Sequence, residues 1–134
     1  MANILLYSMI FCHVIADYNL QGCLANMKQR AWWTEHHTEP MYENDYTTAL
    51  WMHSFAWSFM IHVPVIALLL WKGEITWQHS ATLSILLWTN LYIHEIIDTL
   101  KANSKVLNLW QDQLIHMIQI IATWAVWVYV AKIV

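Results

Sequence analysis

Residues 51–71 read WMHSFAWSFMIHVPVIALLLW, an unbroken run without Asp, Glu, Lys or Arg. A helix rises 1.5 Å per residue, so about 20 residues cross the ~30 Å hydrocarbon core of a bilayer. Extended to 48–71, this run makes one membrane-crossing window, and three more of similar length lie at 2–21, 77–100 and 108–132. The windows predict an all-α fold over residues 1–134: a single-domain polytopic membrane protein built as a four-helix transmembrane bundle, with an interfacial segment between helices 1 and 2.

Composition points the same way. The chain is 59% hydrophobic and 11% charged, where soluble domains carry roughly a quarter charged residues. Ten Trp and six Tyr suit an integral membrane protein, because amphipathic rings gather at the two membrane–water interfaces; Trp32, Trp33, Trp110 and Tyr129 read as such anchors. Two Gly and two Pro supply little turn chemistry, and no stretch shows the ~10-residue alternation of a membrane barrel. A net charge of -3 with six scattered basic residues builds no basic face, which excludes nucleic acid as a partner. Cys12 and Cys23 indicate neither a disulfide framework nor a thiolate zinc site. The N-terminus lacks a basic n-region and a small-residue cleavage site, so the first window is expected to be retained as a span.

The one sizeable polar segment is 22–47, with Lys28, Arg30, Trp32, Trp33, Glu35, His36, His37, Glu39, Glu43 and Asp45. Basic residues beside paired Trp predict that its first part lies along the interface, and Pro40 breaks any helix before the chain re-enters. Lys28, Arg30, Lys101 and Lys105 fall on one face and Lys72 and Lys132 on the other. The positive-inside rule then places loops one and three in the cytoplasm and both termini outside.

Ionisable groups within spans are disfavoured by roughly 2.5–3.5 kcal/mol on insertion scales, so each needs a reason. His13 and Asp17, His94 and Asp98, and Asp112 and His116 are each four residues apart. That spacing puts an imidazole and a carboxylate on one helix face about a turn apart. Counting rise from the shared membrane face, these six and His53 fall about 5–13 Å deep. Seven ligands exceed one tetrahedral set and suit two divalent ions bridged by a carboxylate. Imidazole and carboxylate without thiolate fits zinc first, then manganese or iron. Gln21, Asn90 and Gln119 continue the stripes as outer hydrogen-bond partners. Lys101, with Lys28 and Lys105 near the same rim, would attract an anion. His62 sits too deep, His79 lies near the opposite face, and His36 and His37 are in the loop, so packing or solvent roles are expected for these four. Set against the metal reading, the same Asp and His could pair with one another as a structural network.

In sequence order, the motifs HVIADYNLQ, a lone His opening the second span, HEIIDTLK and DQLIH resemble the domain-of-unknown-function 3307 family of small bacterial and phage membrane proteins. The matching positions are His13, Asp17, Gln21, Lys28, His53, His94, Asp98, Lys101, Asp112, Gln113 and His116, and they cover nearly the whole chain. That family is in turn distantly similar to membrane-bound metal-dependent hydrolases. The resemblance implies a bacterial inner, host-cell membrane. The Trp-rich middle loop has no counterpart in the pattern.

Taken together, the sequence predicts a membrane-embedded hydrolase acting on an ester or phosphoester of a lipid-like substrate. His13, Asp17, His53, His94, Asp98, Asp112 and His116 would be the metal ligands. Asp98, Asp112 and Lys101 would be catalytic, and Lys28, Lys101 and Gln21 would contact substrate. Membrane lipids would be the surroundings, and a homo-oligomer is compatible with the pattern. The alternative is a non-enzymatic protein, either a proton or ion pathway or a phage partner-binding factor, using the same His/Asp network structurally.

Overall fold

A computed structural model describes residues 1–37 and 39–133, and among them every regular element is helical. Four long elements dominate. Helix α1 covers Ala2–Val14 and runs on as a π-helical turn, Ile15–Asn19. Two short helices follow, α2 (Leu24–Met27) and α3 (Arg30–His36), then a 3-10 turn at Pro40–Tyr42. The remaining long helices are α4 (Asp45–Lys72), α5 (Trp77–Ala102) and α6 (Leu109–Val130).

Local chemistry sets these boundaries. Asn108 opens α6 with a reciprocal capping box: its side chain accepts from the Gln111 N–H at 2.9 Å while Gln111 Oε1 accepts from the Asn108 N–H at 3.0 Å, satisfying two orphan donors at once. Thr76 caps α5 by accepting from the His79 N–H. Gly73 closes α4 in the left-handed region at φ 65°, which a residue without Cβ adopts freely. Within the polar segment, α2 and α3 are separated at Gln29, whose backbone is extended.

The long helices pack in a ring, with α4 on α5, α5 on α6, α6 on α1 and α1 on α4. Its interior has two levels. One is apolar, with Leu5, Met9, Trp57, Ile61, Val65, Leu69, Ile120 and Trp127 in one cluster. The other is polar and holds His13, Asp17, His53, His94, Asp98, Asp112 and His116, all buried. The outer face is the reverse, exposing Ile4, Tyr7, Phe11, Phe55, Phe59, Ile85, Ile118 and Ile121.

Two segments, Pro40–Lys72 and Leu109–Val130, are long and apolar enough to cross a membrane. Helix α1 has only 13 residues before its geometry changes, and α5, though 26 residues long, carries Gln78, His79, Asn90, His94, Glu95 and Asp98 along its length. Of the four expected spans, those in α4 and α6 thus meet the length and apolarity that a crossing needs.

Candidate metal centre

Each long element delivers its part of the polar level. Asp17 sits in the π-helical turn, where the Leu20 N–H reaches back five residues to the Ile15 carbonyl at 2.9 Å. Single π turns recur at functional sites because they re-aim one side chain without ending the helix. Helix α4 brings His53, α5 brings His94 and Asp98, and α6 brings Asp112 and His116.

These residues form three overlapping groups that could hold an ion: Asp17–His53–His94, His94–Asp98–His116 and Asp17–Asp112–His116, with the donor atoms of each within 4.8 Å of one another. His53 Nε2 lies 3.3 Å from both Asp17 Oδ1 and Asp98 Oδ2 and 3.2 Å from His94 Nε2. His94 Nε2 is 3.8 Å from Asp98 Oδ2, and His116 Nε2 is 3.3 Å from Asp112 Oδ1 and 3.7 Å from Asp98 Oδ1. Tetrahedral bonds of about 2.0–2.1 Å put neighbouring ligand atoms roughly 3.3 Å apart, so these separations suit ligands facing a common centre.

Four of the nine buried side-chain atoms left without a hydrogen-bond partner among the described residues lie here. His94 Nδ1, both nitrogens of His116, and Asp112 Oδ1 are buried without an aligned partner. A buried polar group left unpaired costs about 1–3 kcal/mol. A cation drawing on carboxylate and imidazole lone pairs would relieve part of that cost, so the donor set fits a divalent ion.

Six of the seven expected ligands thus converge, and His13 is placed differently. Its Nδ1 accepts from Trp57 Nε1–H at 2.7 Å and its Nε2 faces Gln113 Oε1 at 3.1 Å. Since the indole only donates, the His13 proton belongs on Nε2. Gln113 Nε2 in turn donates to Asp17 Oδ2 at 2.8 Å and Asp112 Oδ2 at 3.0 Å. His13 therefore orients two carboxylates through Gln113. In the sequence Gln113 stands out only as a position of the DQLIH motif, with no role attached, and Trp57 only by its one-turn offset from His53. Trp57 also stacks on His94, with ring centroids 4.2 Å apart.

The expected outer partners divide. Gln21 Nε2 donates to the Asp17 backbone carbonyl, beside the site. Asn90 and Gln119 instead bond deeper in the α5–α6 seam: Gln119 Nε2 donates to the Asn90 carbonyl at 2.7 Å and Asn90 Nδ2 to Thr123 Oγ1 at 2.8 Å. The four histidines read as bystanders lie outside the groups. His62, His79 and His36 each donate Nδ1–H to a backbone carbonyl of their own segment, and His37 packs against Trp33 and Tyr42.

At the rim, two of the three lysines, Lys28 and Lys101, are paired. Lys28 Nζ donates to Asp98 Oδ2 at 2.7 Å, and Lys101 Nζ donates to Asp112 Oδ2 at 2.6 Å. Burial alone would lower the Lys101 pKa, but its hydrogen bond to Asp112 and the charges of Asp112, Asp98 and Asp17 outweigh it and hold the ammonium above its usual range. A cavity of about 360 Å3 opens here, lined by Gln21, Lys28, Gln29, Asp98, Lys101 and Lys105. Asp98 belongs both to this mouth and to the candidate ligand groups, so the mouth borders the centre.

No protein-family model matches the chain, and searches of curated proteins and of solved structures return no significant match.

Proposed function

We propose that this chain is a membrane-embedded, metal-dependent hydrolase acting on an ester or phosphoester of a lipid-like substrate. The observation that carries the reading is the convergence, from four segments distant in sequence, of buried His and Asp donor atoms beside a lysine-lined mouth. What supports a four-span setting is the inverted distribution of side chains. Within the long helices His53, Asn90, His94, Asp98, Asp112, His116 and Gln119 are buried while Ile4, Phe11, Phe59, Ile85 and Ile118 are exposed, as suits hydrocarbon surroundings. On this reading the chain resides in a bacterial inner membrane, as its resemblance to the family of phage and bacterial membrane proteins implies.

Zinc is the preferred ion, in one or two copies, since nitrogen and oxygen donors without sulfur suit it and no geometry here demands more than four ligands. When bound, such an ion lowers the pKa of its water and polarises the ester oxygen. The chain's own residues do the rest. Asp98 or Asp112 accepts the proton as water oxygen bonds to the carbonyl carbon or phosphorus, and returns it to the alcohol oxygen when the ester bond breaks. Lys101 and Lys28 hold the anionic part of the substrate, and Gln113 keeps Asp17 and Asp112 aimed inward.

A second reading draws on the same ion pairs. Lys28–Asp98 and Lys101–Asp112 neutralise two of the three buried carboxylates, as a structural network or proton relay would require. Metal analysis of protein purified without a metal-binding tag decides between them. A stoichiometric divalent ion, lost with His94→Ala, supports the hydrolase; metal-free protein of undiminished stability supports the network.

A further inference from the structure

Between α5 and α6, on the outer face of the bundle, lies a cleft of about 290 Å3. Its walls are Leu86 and Ile93 from α5 and Ile115, Ile118, Ala122 and Val126 from α6, and its floor is Asn90, Gln119 and Thr123. The floor's polar atoms are largely engaged with one another across the seam, so the surface offered to an occupant is mainly hydrocarbon. At 1.5 Å per residue the α6 wall, Ile115 to Val126, runs for about 16 Å along the helix axis.

Three features identify the occupant. The cleft lies at the bottom of the range for small-molecule sites, about 300–1,000 Å3, which admits a single chain and excludes a helix some 10 Å across. Its upper end, Ile115, is one turn of α6 below Asp112, where Lys101 bridges the same two helices. An apolar slot along the helix axis whose upper end lies one turn of α6 from the Lys101–Asp112 pair, with Lys101 lining the separate polar mouth beyond it, complements an amphiphile with an anionic head. We propose that this cleft holds one hydrocarbon chain of an anionic, phosphate-bearing lipid whose head rests at Lys101. The inference rests on the membrane-hydrolase reading and gives its substrate class: a phospholipid-like ester, bound through one chain, whose scissile group is held at the level of the ligand cluster.

The test is photolabelling of the full chain in lipid nanodiscs, using phosphatidic acid with a diazirine in its acyl chain, against diacylglycerol carrying the same label. Crosslinks are mapped by peptide mass spectrometry. Phosphatidic acid is expected to label 86–93 and 115–126 several-fold more than the outer face of α4 at Phe55 and Phe59. Ala122→Phe and Thr89→Phe, at exposed positions lining the cleft, should each reduce that excess to the α4 level while preserving the melting temperature. Lys101→Met should abolish the preference over diacylglycerol. Even labelling around the bundle or equal labelling by both lipids would each overturn the proposal. The hydrolase reading is judged separately, by metal content and by turnover of a short-chain, water-soluble phosphoester.

Discussion

Lys28 and Asp98 are 70 residues apart in sequence, yet Lys28 Nζ lies 2.7 Å from Asp98 Oδ2 with both side chains buried. This pair ties the end of α2 to the last turns of α5 and closes one side of the ligand cluster. Breaking a buried ion pair leaves an uncompensated charge and costs about 3–5 kcal/mol. Lys28→Met, which keeps most of the apolar stem, should fall at the lower end of that range, because the lysine is at the rim. Asp98→Asn in the same background should recover much of the loss. Denaturation in detergent measures this, and a change near the ~1 kcal/mol typical of exposed pairs would mean that the contact is not maintained.

Metal affinity should report the division between ligands and supports. His94→Ala and Asp112→Ala remove donor atoms and should abolish stoichiometric binding. His13→Ala removes only the group that orients Gln113, and supporting residues of this kind typically change affinity about 10–100-fold. His79→Ala and His36→Ala should leave it unchanged. Isothermal titration with zinc on each variant checks the order. Equal losses for His13 and His94 would return His13 to the ligand set.

Lys101 separates catalysis from architecture. Its partner Asp112 is fully buried, but Lys101 itself keeps 30% of its side-chain surface exposed, so solvent moderates the cost of losing the pair. Lys101→Met should retain metal and melting temperature while lowering turnover of an anionic lipid ester. A marked drop in melting temperature, with no hydrolysis by either protein, would favour the structural network.

The same ligands make binding pH-dependent. Metal binding needs neutral imidazoles and ionised carboxylates, so protons compete with the ion and affinity should fall as the pH is lowered from neutral. Zinc titrations across the acidic range measure it. Binding indifferent to acidification would show that the histidines are not ligands.

Topology gives a further expectation. Four spans with one long polar connection put both termini on one face, so reporter fusions at the C-terminus and near Glu39 should lie on opposite sides of the membrane. Signals from one side for both would remove the four-span arrangement.

The sequence by itself determined the helical class, nearly all the long-helix limits and, among its seven His and Asp candidates, the six that the structure gathers at the candidate centre. Helical periodicity is local: a His and an Asp four apart share a face whatever surrounds them, and α5 and α6 start and end within about two residues of the expected windows. The first window departs, because the chain leaves α-helical geometry at Ile15 and turns Asp17 through a π turn, which spacing does not announce. The tertiary structure alone decided which donors meet. Whether His13 faces a common centre or bonds Trp57 and Gln113, whether Lys28 reaches solvent or Asp98, and whether Asn90 and Gln119 support ligands or pin the α5–α6 seam are contacts between segments 29 to 100 residues apart. They depend on helix rotation and axial offset, which side-chain packing across the whole ring fixes at once.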